Sequence, residues 1–195
     1  MRPLTVTMNV TLDGVVQGVG RPDEDTRGGF PHGGWGGWHQ DEVLTAEMGR
    51  GMARGGDMLF GRRTWEDFVE VWSRAEDGNP FTAHMNAATK YVASRTLTDV
   101  DAWANSVLLR GDAADAVGRL KEQGDTPLAV VGSAALVRSL HAAGLVDHLV
   151  LVIHPITLGC GARLFEGPAP LTRFALVRSV ATPSGLVIAY YDRRG

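Results

Sequence analysis

Short apolar runs alternate with helix-period stretches along this sequence, and that alternation restricts the fold more than any other feature. Met58-Leu59-Phe60 precedes a stretch in which Trp65, Phe68, Val69 and Trp72 form one apolar stripe. Tyr91-Val92-Ala93 and Val107 to Leu109 read as strands. A helix over 113–123 is capped by Asp112 and stopped by Gly124. The strand Leu128 to Val131, a helix over 133–143 stopped by Gly144, and the strand Leu149 to Ile153 continue the pattern. Strands alternating with helices predict an α/β fold with a mostly parallel sheet. Two late strands, 173–181 and 186–192, turn at Pro183-Ser184-Gly185 and predict an antiparallel hairpin. Weaker helices are expected over 40–53 and 81–89. No internal repeat or linker divides the 195 residues, so one domain over 1–195 is expected.

The N-terminal strand is the clearest single element. Leu4, Val6, Met8, Val10 and Leu12 alternate with Thr5, Thr7, Asn9, Thr11 and Asp13, so one face is buried. The polar face meets solvent or lines a cleft. A long aperiodic segment over 14–39 follows, and six of the ten residues from Gly28 to Gly37 are glycine. Loops of this length inside a compact domain are functional or disordered. Phe30, Trp35 and Trp38 argue against disorder, so a mobile lid closing on a ligand is expected.

Composition removes several classes. The longest apolar run is far below the ~20 residues that span a bilayer, and the alternating N-terminus is not a secretory core. Cys160 is the only cysteine, which excludes an intrachain disulfide and a cysteine zinc cluster and points to a reducing cytoplasm. Flanked by Gly159 and Gly161, it reads as a small buried filler. The net charge of -3 gives no field for nucleic acid.

Ligands of open parallel sheets bind beyond the carboxyl ends of the strands. Three strand ends here carry polar turns: Gly61-Arg62-Arg63-Thr64, Ser94-Arg95-Thr96 and Gly132-Ser133-Ala134. The first and third open helices, whose free N–H groups suit a phosphate. Thr64 with Asp67 resembles a capping box. Two arginines beside the first turn match phosphate oxygens, and Ser94-Arg95 suits a phosphate monoester. Each turn alone is also readable as an ordinary capped turn with surface arginines.

Competing motifs fail. Gly18-Val19-Gly20 lacks the rest of a dinucleotide fingerprint. Val131-Gly132-Ser133-Ala134-Ala135 lacks the second glycine of a nucleophile elbow. His32 and His39 lack metal-ligand spacing, so no metal is expected. His154 at a strand end reads as structural.

Taken together these residues resemble the dihydrofolate-reductase-like superfamily, in particular stand-alone relatives of the reductase domain of the bifunctional riboflavin-biosynthesis deaminase-reductase. Phe60-Gly61-Arg62-Arg63-Thr64-Trp65-Glu66 is similar to the family's strand-Gly-Arg-x-Thr-Trp-Glu turn, and Thr11-Leu12-Asp13-Gly14 to its Ser-Leu-Asp-Gly. The resemblance implies a three-layer α-β-α fold and NADPH as cofactor. Gly61, Arg62, Arg63 and Thr64 would then meet its phosphates, Ser94 and Arg95 the 2′-phosphate, and Gly132, Ser133 and Ala134 the pyrophosphate. Asn9 and Val16 would border the nicotinamide. It also implies a homodimer formed through the sheet, for which the apolar strand Leu149–Ile153 is suited.

The substrate side departs from the family. Val131-Gly132-Ser133 stands where the riboflavin reductases have Glu-Gly-Gly, and Phe68 stands where they carry an Asp. The expected activity is hydride transfer to a C=N or C=O carbon of a small pterin, pyrimidine or related heterocycle, with a riboflavin-pathway reductase as the family activity and a dihydrofolate-reductase-like activity as an alternative. Asp13 and Asp41 are the candidate catalytic carboxyls that deliver the proton. An Asx turn at Asp13 and a helix N-terminal acid at Asp41 are the structural readings of the same residues. A non-catalytic NADPH or small-molecule binder and a structural dimer-forming module remain the other classes.

Overall fold

The computed structural model describes residues 1–195. Strands β1 (Leu4–Thr11), β2 (Asp57–Gly61), β3 (Lys90–Ala93), β4 (Ser106–Leu109), β5 (Leu128–Val131), β6 (His148–His154), β7 (Arg173–Ala181) and β8 (Val187–Arg194) form one sheet. Its order is β4-β3-β2-β5-β1-β6-β8-β7. The first six strands run parallel, and the β7–β8 hairpin pairs antiparallel onto β6. Helices α1 (Glu42–Ala53), α2 (Arg62–Trp72), α3 (Pro80–Ala87), α4 (Ala113–Lys121) and α5 (Ala134–Ala142) cover both faces. This is the mostly parallel, three-layer α-β-α arrangement with a terminal hairpin. No helix is long and apolar enough to cross a membrane.

Side-chain alternation explains the layers. Leu4, Val6, Met8 and Val10 of β1 point to one face, where Leu59, Leu128, Val130 and Leu149 join them under Val117 and Leu120 of α4 and Val137 and Leu140 of α5. Each such side chain, fully buried, contributes about 1.5–3 kcal/mol relative to exposure. The opposite face holds two separate clusters. Met58, Phe60 and Val92 pack under Trp65 of α2 and Met85 of α3, and Val150, Val152 and Ile188 pack under Leu44 of α1. Between these clusters run the half-buried Thr5, Thr7 and Asn9 of β1. The polar stripe of β1 is therefore only partly covered between the two clusters.

Several expectations are corrected. α2 begins at Arg62, with Gly61 as its N-cap, so Thr64 lies inside the first turn and no capping box forms. Asp67 instead pairs with Arg21 of the 14–39 segment. That segment is built as a packed cover. Val15, Phe30 and Trp35 form their own apolar cluster with Ile156 and Leu158, and Trp35 is fully buried with its indole N–H donating to the Gln17 carbonyl at 2.7 Å. Gly33 sits where a Cβ would meet the Pro22 carbonyl carbon at 2.7 Å, so this glycine serves close packing. β6 lies inside the sheet between β1 and β8 with both edges already paired, so no strand of a second copy can add at its edge. The free hairpin edge is β7, where Leu176 and Val177 are exposed. Cys160 is exposed, because the turn around it holds it outside every apolar cluster.

Candidate functional site

The sheet order brings the three polar turns together. β3, β2 and β5 are neighbours, and Gly61 at the end of β2 pairs with Ala93 at the end of β3. The turns at Gly61, Ser94 and Gly132 thus follow adjacent strands at one edge of the sheet.

Two helix N-termini converge there. α1, α3 and α4 are capped by the side chains of Asp41, Asn79 and Asp112, whereas α2 and α5 have no side-chain cap. Their first N–H groups are left for another acceptor, and the helix dipoles add positive potential. The α5 N-cap, Ser133, adopts a left-handed backbone with φ 64°, unusual for a side-chain-bearing residue. A Cβ on Gly61 would lie 3.2 Å from the Ser133 Cβ, and one on Gly132 3.3 Å from Thr64 Cγ2. The two turns interlock, and small residues keep the ground between them clear.

Charge is distributed to match. Arg62 pairs with Glu66 at 2.9 Å. Arg63 and Arg95 are exposed and take part in no ion pair. Ser94 is buried, and its Oγ accepts from the N–H groups of Thr96 at 3.1 Å and Leu97 at 3.0 Å and lies 3.5 Å from the Thr96 hydroxyl. Uncapped helix termini, clear glycine ground and two unpaired guanidinium groups suit a ligand carrying several phosphates.

The two candidate carboxylates are fully engaged. Asp13 accepts from Thr11 Oγ1 at 2.6 Å, from the Gly159 N–H at 2.8 Å and from the Leu158 N–H at 3.2 Å. The Thr11 hydroxyl, with these N–H groups, lowers its pKa. Asp41 caps α1 through the Leu44 N–H at 2.8 Å and accepts from Ser184 Oγ at 2.6 Å and the Ser184 N–H at 3.1 Å. The Ser184 hydroxyl above all holds Asp41 far below the usual carboxylate range. Hydrogen bonds accepted on both oxygens favour the ionised form of a carboxylate. The geometry gives both carboxylates a structural bond as well: Asp13 ties β1 to the 158–159 turn, and Asp41 ties α1 to the hairpin.

Asn9 and Val16 lie at the carboxyl end of β1. Val16 is buried against the α4–α5 side, with its N–H on the Ala162 carbonyl at 2.9 Å, so only its backbone can face a ligand. Asn9 Oδ1 lies 2.9 Å from His154 Nε2. The His154 ring is completely buried, in edge-to-face contact with Trp35 at 4.9 Å and with His39 at 5.8 Å between centroids. Burial holds its pKa down to about 4. Sequence reasoning set aside both histidines as separate and unremarkable. They are 115 positions apart, and only the pairing of β1 with β6, which aligns Thr11 with His154, brings them to one place.

Residues 2–188 match the RibD C-terminal domain. The chain belongs to that family. This RibD C-terminal domain protein is 28% identical over 143 residues to YyaP of Bacillus subtilis (strain 168), covering 71% of this chain and 74% of YyaP. Its fold matches a protein assigned to riboflavin biosynthesis from Shewanella sp. PV-4, with a TM-score of 0.70, 20% identity and 99% of both chains covered. A pyrimidine reductase-like protein from Corynebacterium diphtheriae matches with a TM-score of 0.66 and 12% identity, over 100% of this chain and 92% of that one. Dihydrofolate reductase from Enterococcus faecalis, complexed with NADP(H), matches with a TM-score of 0.62 and 11% identity, over 99% and 97%. The fold is dihydrofolate-reductase-like, and the family is reductase-like.

Proposed function

We propose that this protein is an NADPH-dependent reductase that delivers hydride to a C=N or C=O carbon of a small heterocycle of pterin or pyrimidine kind. The observation that carries the reading is the pair of uncapped helix N-termini, α2 and α5, interlocked through Gly61 and Ser133. Three other helices of the same chain are capped by side chains, so these two are the exceptions.

In this reading the N–H groups at Gly132, Ser133 and Ala134 and those at Gly61 to Thr64 hold the pyrophosphate. Arg62 and Arg63 add charge, and Ser94 and Arg95 take the 2′-phosphate that distinguishes NADPH from NADH. Asn9 and the Val16 backbone flank the nicotinamide. When bound, NADPH supplies the hydride from carbon 4. The protein orients the substrate over the polar stripe of β1, and the 14–39 cover excludes water. A riboflavin-pathway reductase activity agrees with the family membership and with the Shewanella neighbour. The reading includes a homodimer, supported by the exposed Leu176 and Val177 on the free edge strand β7, and a cytoplasmic location, supported by a single unpaired cysteine.

Titration with NADPH tests it. Nicotinamide fluorescence and melting temperature should both rise saturably, and NADPH should be oxidised with at least one compound of a pterin and pyrimidine panel. No response to millimolar NADPH would refute the reading. Saturable binding with no oxidation across the panel would make the chain a binder.

A further inference from the structure

We propose that His39 is the proton donor of this reductase and that the Asn9–His154 pair is its positioning partner. The inference rests on the reductase reading, because reduction of a C=N or C=O bond needs a proton at the heteroatom as well as a hydride at carbon.

The first observation is one of supply. Both oxygens of Asp13 and of Asp41 already accept hydrogen bonds within the fold, and those bonds favour the ionised carboxylate over a proton-bearing one. The second concerns unfilled hydrogen-bonding capacity. Two buried side-chain nitrogens in the whole chain have no partner, His39 Nδ1 and His154 Nδ1. They belong to rings in edge-to-face contact, 5.8 Å apart between centroids. Buried polar atoms are almost always satisfied, and an exception requires an explanation. Two exceptions in one spot mark a place where a polar group of a ligand belongs.

The third observation is position. His39 ends the 14–39 cover, just ahead of α1. Its neighbour His154 is bonded to Asn9, on the half-buried stripe of β1. With Asn9 Oδ1 accepting, His154 carries its proton on Nε2 and presents Nδ1 as a bare acceptor. His39 is half-buried as a residue, and its Nδ1 is sealed from solvent.

The chemistry balances with these parts. The carbon of the C=N or C=O bond accepts the hydride supplied by NADPH, and the π pair moves to the heteroatom. The His39 imidazolium gives its proton to that nitrogen or oxygen, and the neutral ring regains a proton from water. The His39 ring meets His154 of β6, which in turn meets Trp35 of the cover, and Asp41, two residues on in the chain, has its carboxylate turned onto Ser184. Ser184 also donates to the His39 carbonyl at 3.1 Å, which fixes the backbone beneath the ring.

The test begins without a substrate. In protein labelled with 15N-histidine, NADPH alone should shift the ring signals of His39 and His154 and leave those of His84 and His148 in place. Binding of NADPH with no shift at His39 or His154 would overturn the proposal while the reductase reading stands. Absence of NADPH binding would overturn the reading itself, and the proposal with it. The second arm is turnover of whichever panel compound is reduced. H39G should lower kcat by about 10²–10⁴-fold, the usual contribution of a positioned acid, with the Kd for NADPH unchanged and kcat restored by added imidazole. A loss that imidazole does not rescue assigns His39 a structural role and refutes the proposal. His154→Gln, which keeps a donor for Asn9 and removes Nδ1, should shift the alkaline limb of the kcat profile. An unshifted limb would remove His154 from the positioning role.

Discussion

Gly61 and Ser133 are packed so closely that a Cβ on the glycine would stand 3.2 Å from the serine Cβ and nearer still to its Oγ. The contact joins the N-terminus of α2 to that of α5. Gly61→Ala should push Ser133 out of its left-handed conformation and spread the two N–H clusters. Overpacking of this kind costs about 1–3 kcal/mol. The expected outcome is a lower melting temperature together with at least about a tenfold weaker NADPH affinity, tenfold being about 1.4 kcal/mol. A variant that loses stability alone would separate the interlock from phosphate binding.

Arg95 offers a sharper separation. It is exposed and free of ion pairs, so its removal leaves no buried partner stranded. Arg95→Ala should change stability by less than about 0.5 kcal/mol, as surface substitutions do. Charge-assisted hydrogen bonds contribute about 1.5–3 kcal/mol, so the Kd for NADPH should rise about ten- to a hundredfold. The Kd for NADH, which lacks the 2′-phosphate, should barely move. Parallel fluorescence titrations with the two nucleotides make the comparison, and an equal loss for both would contradict the 2′-phosphate role.

His154 links the site to stability through pH. Its pKa, ordinarily 6.5, is held down to about 4 by burial and by its neighbour His39. Above about pH 6.5 the ring is neutral in both the folded and the unfolded chain and adds no pH dependence. Between 6.5 and 4 the unfolded chain binds a proton that the folded chain refuses, so stability falls as the pH falls. A difference of about 2.5 pH units corresponds to about 3 kcal/mol at ~1.36 kcal/mol per unit. Urea denaturation should show wild type losing stability over this window faster than His154→Gln. Parallel pH curves for the two proteins would mean that His154 does not carry the effect.

Glu47 illustrates a cost of a different kind. Its buried carboxylate accepts from Arg178 at 2.6 and 2.8 Å, from Tyr190 Oη at 2.6 Å and from Arg50, tying α1 to the hairpin. Arg178 above all lowers its pKa. Glu47→Ala leaves the half-exposed Arg178 and Arg50 to solvent but strands the Tyr190 hydroxyl, and an unsatisfied polar group of that kind costs about 1–3 kcal/mol. Thermal unfolding should record that loss, and NADPH affinity should change much less.

Local patterns in the chain carried the elements, and pairing at a distance decided the site. The alternation over Leu4 to Thr11 specifies a strand with one buried face, and β1 is that strand. Asp112 ahead of an apolar stripe specifies the start of α4, and its carboxylate caps that helix. Ser133 gave no such sign, because nothing in Gly-Ser-Ala as a local sequence marks a left-handed serine packed against Gly61. Asp41 is legible as an acid at a helix start, but its second bond goes to Ser184, 143 positions away. His39, His154 and Asn9 carry no spacing signal at all. Their proximity exists only after β1 has paired with β6 and the cover has folded over Trp35.

The glycines of the 14–39 cover put the same point to a direct test. A run of six glycines in ten residues suggests a hinge. The structure distinguishes them by what surrounds each one. A Cβ on Gly33 would strike the Pro22 backbone, with its carbonyl carbon at 2.7 Å, whereas a Cβ on Gly37 would meet nothing within 4 Å. If the glycines serve mobility, Gly33→Ala and Gly37→Ala should act alike on loop opening. If they serve packing, the two should diverge. Gly33→Ala forces backbone against backbone, where no rotamer offers relief, and should cost about 1–3 kcal/mol. It should also loosen the Trp35 cluster, visible as a shift of tryptophan emission and faster proteolytic cutting within the cover. Gly37→Ala should be neutral or slightly stabilising, since alanine restricts the unfolded chain more than glycine does. Similar losses from both substitutions would return the cover to the role of a hinge.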